Sequence, residues 1–286
     1  MLLLLTRASH KRRKGIRRTL DSSSSASALA APLRSGELVI ASGLAGGLRL
    51  AAKTFPLEHV HAHHLLRGTL EIPVQEAFRR HVPAGAVVYD IGANVGFFSL
   101  LAARLAGPDG RVYAFEPAPG NAAAVRANAA ANYPDRITVL ELALGKSPGR
   151  AALSIPADSS WAYLERYAPD RSSGATVQVE VATIDRLVAD GTVMAPQLVK
   201  IDVEGAELDV LAGMKETMRR FQPVIVCEMH GRNAEFVSLA QSLDYRVTNL
   251  ESPTSVAAAD KNTHALAVSL GDRPGPAVTA ARTNGT

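Results

Sequence analysis

The chain has 286 residues, of which 47% are hydrophobic and 20% charged. A fold of that size buries roughly three-quarters of the surface its unfolded chain exposes, so a wholly disordered chain is excluded. The single cysteine, Cys227, excludes a disulfide framework and a cysteine-based zinc site.

The formal net charge is +4, yet the first twenty residues hold seven basic residues and no acid, which leaves −3 on the rest. A nucleic-acid groove needs lysine and arginine clustered on the folded surface; the acidic body argues against that partner. Met1–Leu5 is apolar but gives way at once to Thr6 and Arg7. A secretory leader has the opposite order, charge first and then a longer apolar core. The longest apolar window, Leu38–Ala52, is interrupted by Gly43, Gly46, Gly47 and Arg49, so no membrane span is expected. These features predict a cytoplasmic protein without stable membrane association, its first 35 residues a disordered basic, Ser/Ala-rich tail.

Val74, Ala77, Phe78 and His81 recur at helical spacing and predict a helix over Ile72–His81. Val87–Ile91 is an apolar run broken only by Asp90, as in a strand covered on both faces. Strand and helix then alternate. A helix is expected over Val95–Leu105, a strand over Arg111–Phe115, a helix over Asn121–Tyr133 and a strand over Ile137–Leu144. An irregular stretch over residues 145–183 holds extended pieces at Ala151–Ile155 and Val177–Val181, with Trp161 in a segment long enough to form a substrate lid or simply to pack. A short helix over Ile184–Ala189 follows, then a strand over Leu198–Val203, a helix over Ala206–Phe221, a strand over Val224–Met229 and a helix over Asn233–Leu243. Tyr245–Leu250 and His264–Ser269 close the pattern, joined by a loop too short for a crossover helix and therefore antiparallel. This alternation predicts an α/β fold: a doubly wound, mostly parallel, Rossmann-like sheet ending in an antiparallel hairpin. Such sheets bind ligands beyond the carboxyl ends of their strands.

The residues at those ends carry the chemistry. Asp90-Ile91-Gly92-Ala93-Asn94-Val95-Gly96 follows the first core strand. A dinucleotide fingerprint would have glycine where Asn94 stands, and the carboxylate of Asp90 would repel a pyrophosphate. The pattern suits instead a cofactor bearing an ammonium and a sulfonium, although a tight turn with a capping Asp would look the same. Glu116 ends the second core strand and can accept two hydrogen bonds from ribose hydroxyls. Asn121 opens the next helix, as an N-cap or as a cofactor contact. Lys200-Ile201-Asp202-Val203-Glu204-Gly205-Ala206-Glu207 follows the next strand. Asp202 and Glu204, two apart, are expected to point the same way and to orient and deprotonate a hydroxyl; helix capping is the plainer role, and Glu207 fills it. Glu228 and His230 are spaced likewise, and His230 is a natural base near neutrality. An acid pair with His230 could also hold a divalent ion. The run His59, His61, His63, His64 has no accompanying carboxylate or regular ligand spacing, so no metal is assigned there.

These residues resemble the FkbM-type S-adenosylmethionine-dependent methyltransferases. The shared segments are Gly68-Thr69-Leu70-Glu71, Val88–Phe97, Ala114-Phe115-Glu116-Pro117, Leu142–Gly145, Thr183-Ile184-Asp185, Leu198–Glu207 and Val226–His230. The resemblance implies a class I methyltransferase sheet of seven strands and methyl transfer from S-adenosylmethionine to a hydroxyl of a small-molecule natural product or sugar. It implies cofactor contacts from Asp90, Gly92, Asn94, Gly96, Phe97, Glu116, Pro117 and Asn121, and chemistry from Asp202, Glu204, Glu228 and His230. Residues 36–85 then form a strand-and-helix extension, 86–270 the methyltransferase domain and 271–286 a disordered tail. A nicotinamide-dependent oxidoreductase and a cofactor-binding module without turnover are the competing expectations.

Overall fold

The computed structural model describes residues 36–52, 62–156, 163–164, 174–259 and 262–271. Both tails, His59, His61 and Trp161 lie outside them. The described chain opens with an antiparallel hairpin, β1 (Glu37–Val39) and β2 (Arg49–Ala51), in which Leu38 faces Leu50. Helices α1 (Ala62–Arg67) and α2 (Ile72–His81) follow. Helix α2 buries Val74, Ala77 and Phe78 as its spacing predicts, but the fourth buried position is Gln75 rather than His81.

From here strand and helix alternate: β3 (Val87–Ile91), α3 (Phe97–Ala106), β4 (Arg111–Phe115), α4 (Pro119–Asn132) and β5 (Ile137–Leu140). Four strands then stand apart: β6 (Ala143–Leu144), β7 (Gly149–Pro156), β8 (Tyr163–Leu164) and β9 (Gly174–Ala182). The alternation resumes with α5 (Ile184–Ala189), β10 (Leu198–Ile201), α6 (Glu207–Ala212), α7 (Lys215–Phe221), β11 (Val224–Met229), α8 (Asn233–Gln241), β12 (Tyr245–Asn249) and β13 (Thr263–Ser269).

The main sheet has seven strands in the order β12-β13-β11-β10-β3-β4-β5. Strands β5, β4, β3, β10 and β11 are parallel, and β13 runs antiparallel between β11 and β12. The α/β class, the mostly parallel sheet and the closing hairpin are thus as the pattern implied. Side chains alternate between two cores, as the two-residue period of a strand requires. Val88, Leu198, Val224 and Val226 join one core, while Tyr89, Val199, Ile225 and Cys227 join the other. The first core also takes in Leu50, Val74 and Phe78, so the N-terminal segment continues the layer that covers the sheet. Asn128 pins it there: its Oδ1 accepts from the Ala51 N–H at 2.7 Å and its Nδ2 donates to the Val95 carbonyl at 2.7 Å.

Three segments differ in kind from the sequence expectation, and β10 ends two residues early, at Ile201. Ile137–Leu144 is not one strand: β5 stays in the main sheet while β6 pairs in parallel with β9 of a separate four-stranded sheet. The extended pieces read at Ala151–Ile155 and Val177–Val181 belong to longer strands of that sheet, β7 and β9. The helix expected over Ala206–Phe221 is two helices, broken at Gly213 and Met214. A Cβ at Gly213 would stand 2.0 Å from the Gly145 carbonyl oxygen, and the Gly213 carbonyl accepts from Asp185 N–H at 2.9 Å. That contact with neighbouring segments competes with helical continuity, and glycine offers the helix little resistance.

Candidate active site

The carboxyl ends of β3, β4, β10 and β11 open into one cavity of about 580 Å³, closed on the other side by the turn between α1 and α2. Of the residues singled out in the sequence, only Gly96 lies off the lining; the rest of both sets face the cavity.

Asp90 belongs to β3 and is 1% exposed. Its Oδ2 accepts from the Ser99 hydroxyl at 2.5 Å, while Oδ1 is buried with no hydrogen-bond partner. Burial raises its pKa, against the pull of the nearby Lys200 ammonium. A lone acceptor on a buried acid fits a cationic or N–H-bearing ligand group.

The turn after β3 depends on two glycines for different reasons. Gly92 has φ +79°, and a Cβ there would stand 1.7 Å from the Asp202 carbonyl oxygen. Gly96 has φ +87° and lies against Val125 of α4. The first glycine therefore lets two strand ends meet; the second lets a helix pack.

Glu116 follows β4 and is 4% exposed. Its Oε2 accepts from Asn94 N–H at 2.7 Å and its Oε1 from Ala118 N–H at 2.9 Å, and the Asn121 side chain also bonds to it. Of its roughly four lone-pair sites three are thus taken, so the carboxylate can take one further donor. Burial, opposed by these hydrogen bonds, pushes its pKa up to about 7. Asn121 is not the N-cap of α4. That position is Ala118, with Pro119 opening the helix, where its missing N–H costs nothing.

Asp202 and Glu204 lie beyond the end of β10, not on it as expected. The backbone turns sharply, with Glu204 at φ +51°. The turn nonetheless brings acid oxygens of both within 4.8 Å of a His230 ring nitrogen. Asp202 Oδ2 pairs with Lys200 Nζ at 3.0 Å. Burial opposes ionisation of Asp202, but Lys200 and His230 outweigh it and hold its pKa below the usual range. Burial likewise works against the Lys200 charge, and Asp202, Glu71 and Asp90 overcome it.

His230 Nδ1 lies 2.8 Å from Glu207 Oε1, and its Nε2 lies 3.7 Å from both Glu204 and Glu228. Burial lowers its pKa, but Glu207, Asp202 and Glu204 reverse that and lift it to about 9. An unperturbed imidazole is mostly neutral at pH 7; this one holds its proton there. That corrects the expectation of a free base, because the acids that position the ring also keep it charged. Glu207, expected only to cap a helix, makes no side-chain cap hydrogen bond; it stands in the first turn of α6, accepts from Gly205 N–H at 2.8 Å and anchors His230.

Sequence reasoning missed Lys200, Glu71 and His264, all of which line the cavity. A lysine inside the apolar strand Leu198–Ile201 was a visible signal. Glu71 stood in the shared segment Gly68-Thr69-Leu70-Glu71, which gives it no role, and His264 had no such signal. His63 and His64 lie in α1, where His64 Nδ1 is 3.2 Å from Thr69 Oγ1.

Known proteins bear on this arrangement. The model of the methyltransferase FkbM domain matches residues 90–257. The chain is 30% identical over 235 residues to the 31-O-demethyl-FK506 methyltransferase FkbM of Streptomyces tacrolimicus, covering 68% of this chain and 87% of that one. It is 32% identical over 146 residues to the hexuronic acid methyltransferase AglP of Haloferax volcanii, covering 50% and 56%. A crystal structure of methyltransferase FkbM from Methylobacillus flagellatus aligns with a TM-score of 0.44 at 18% identity, over 72% of this chain and 53% of that one. By the extent of the domain match and of the first of these likenesses, this chain belongs to the FkbM family of S-adenosylmethionine-dependent methyltransferases.

Proposed function

We propose that the protein transfers methyl from S-adenosylmethionine to a hydroxyl of a small molecule, a natural product or a sugar. The observation that carries this reading is the convergence of Asp202, Glu204 and His230 at the mouth of the cavity lined by Asp90 and Glu116. The names of two relatives support the acceptor class, one being a 31-O-demethyl-FK506 and the other a hexuronic acid methyltransferase.

The cavity fits the cofactor on its own chemistry. Asp90 offers an unpartnered buried oxygen, and Glu116 keeps one free lone-pair site beside a glycine turn. Asp90 is placed to meet the cofactor's positive end, Glu116 to accept a ribose hydroxyl, and Phe97, Pro117 and Asn121 to wall it in. Bound S-adenosylmethionine supplies a methyl group already activated by its sulfonium, so the protein's main task is alignment. Asp202 and Glu204 accept the hydrogen bond of the incoming hydroxyl and fix its oxygen in line. Lys200 makes Asp202 a weak base, and Glu204 is the carboxylate left to receive the proton. His230, anchored by Glu207, spreads the charge of Glu204 and Glu228.

The test separates binding from turnover. Labelled methyl transfer into hydroxylated small molecules is measured for the wild type, Asp202→Ala and Glu204→Gln, with cofactor affinity measured alongside. Base assistance contributes ~10²–10⁴-fold, so Glu204→Gln should lower turnover by that order and Asp202→Ala should lower it through lost alignment, while affinity changes by less than about tenfold in both. Label recovered on nitrogen or carbon, or wild-type turnover in both variants, would refute the reading.

A further inference from the structure

A second cluster stands at the same cavity, on three segments distant in sequence. Glu71 ends the turn between α1 and α2, Glu228 lies near the end of β11, and His264 lies near the start of β13. His264 is 6% exposed, and its Nε2 lies 3.3 Å from Glu71 Oε2 and 3.6 Å from Glu228 Oε2. Both His264 Nε2 and Glu71 Oε2 are buried with no hydrogen-bond partner. We propose that Glu71, Glu228 and His264 bind a divalent metal cation of the class that accepts mixed imidazole and carboxylate donors, such as Mn²⁺ or Zn²⁺.

The spacing favours a shared cation over a direct bond. A hydrogen bond from the ring would bring nitrogen and oxygen to about 2.7–3.2 Å. Donors about 2.1 Å from a common ion stand about 3.0–3.5 Å apart in octahedral or tetrahedral geometry. The two separations seen, 3.3 and 3.6 Å, sit near the second range and outside the first. The ring is also oriented for the task. Burial lowers the His264 pKa, but Glu228, Glu71 and Glu251 reverse that and raise it to about 11, so an ion would displace the Nε2 proton, while Nδ1, 2.6 Å from Glu251 Oε1, keeps its own. Metal-bound histidines are held by such an outer carboxylate.

The scaffold behind Glu71 is tightly held. A Cβ at Gly68 would stand 2.0 Å from the Ser42 carbonyl oxygen, so the turn is pressed on the loop between β1 and β2. The buried Gln75 side chain donates to the Gly68 carbonyl at 3.1 Å and the Leu70 carbonyl at 2.5 Å. Lys200, whose charge Glu71 helps to hold, pairs with Asp202 at 3.0 Å. Three protein donors leave positions on the ion open to water or to a ligand in the cavity.

The test uses the full chain and Mn²⁺ alone, without S-adenosylmethionine, so its result does not depend on the methyl-transfer reading. Free Mn²⁺ is followed by electron paramagnetic resonance during titration, and Zn²⁺ by calorimetry. One ion per chain should bind to the wild type. Glu71→Gln and His264→Ala should each weaken binding by at least about tenfold, and Glu251→Gln by a factor of about 10–100. Circular dichroism verifies that each variant folds, and the nearly isosteric Glu71→Gln decides the question if His264→Ala does not. Absence of stoichiometric binding by either ion in the wild type would overturn the proposal and leave His264 as an ion-paired strut. So would undiminished binding in Glu71→Gln, or binding lost in Glu204→Gln and kept in Glu71→Gln, which would put the ion beside His230.

Discussion

If Glu116 receives the ribose as proposed, cofactor affinity depends on pH. In the folded chain its pKa is raised from 4.5 to about 7, burial being the main cause. The protonated form is therefore the one the fold favours. Its contribution to stability is complete below about pH 4.5 and is lost as pH rises through about 7; at about 1.4 kcal/mol per unit, the loss is on the order of 3 kcal/mol. A ribose hydroxyl donating to this group favours the opposite, ionised form. Affinity for S-adenosylmethionine or S-adenosylhomocysteine should thus be greatest above about pH 7 and fall by up to about tenfold per unit below it. Glu116→Gln removes the titration. It also turns an amide N–H₂ toward one of the two backbone N–H groups, from Asn94 or Ala118, that the carboxylate now accepts. The loss of a charge-assisted bond, about 1.5–3 kcal/mol, should weaken binding roughly 10–100-fold at neutral pH. Calorimetric titration with S-adenosylhomocysteine between about pH 5.5 and about pH 8.5 measures both effects. A wild-type affinity flat across that range, or a variant that keeps the wild-type slope, would refute the assignment of Glu116 to the ribose.

Other perturbations follow from the same geometry. Gly92→Ala should impair turnover as well as cofactor binding, because a Cβ would stand 1.7 Å from the Asp202 carbonyl; steady-state kinetics that changed only KM would refute this coupling. Asn128→Ala leaves the Ala51 N–H and the Val95 carbonyl without their side-chain partner and should cost about 1–3 kcal/mol for each buried group left unpaired, read as a lower denaturant midpoint. Glu207→Gln keeps the size of the side chain but removes the first of the acids that charge His230. The His230 pKa, followed by NMR titration, should move down from about 9.

The sheet was legible because its central strands are covered on both faces. Runs such as Val87–Ile91 and Val224–Met229 leave little choice but a parallel core strand. The breaks were not legible, since they answer to contacts between segments. Gly213 interrupts a helical pattern because it meets Gly145 and Asp185, and β6 leaves the main sheet because β9 offers it a partner. Glu71 and His264 were missed for the same reason: the shared segment that ends in Glu71 names no partner for it, His264 stands in no local pattern, and each acquires meaning only beside Glu228.

The acids after β10 show how a sound conclusion can rest on the wrong local geometry. A two-residue strand period was expected to point Asp202 and Glu204 the same way, but β10 ends at Ile201 and the period no longer applies. The two converge because Asp202 is fixed from two sides and Glu204 is turned back by its left-handed backbone. One fixing contact is the side chain on Lys200. The other is the Asp202 carbonyl, which stands so close to Gly92 that no other residue fits there. The glycine that appeared to serve the cofactor alone therefore also sets the end of the neighbouring strand. The turn that would receive the cofactor and the acids that would receive the acceptor are held in register by the β3–β10 pairing, which closes with the Asp202 N–H bond to the Ile91 carbonyl at 3.0 Å and the close approach at Gly92. A substitution at Gly92 must move both sides of the cavity together, which side-chain changes at Glu116 or Glu204 would not do.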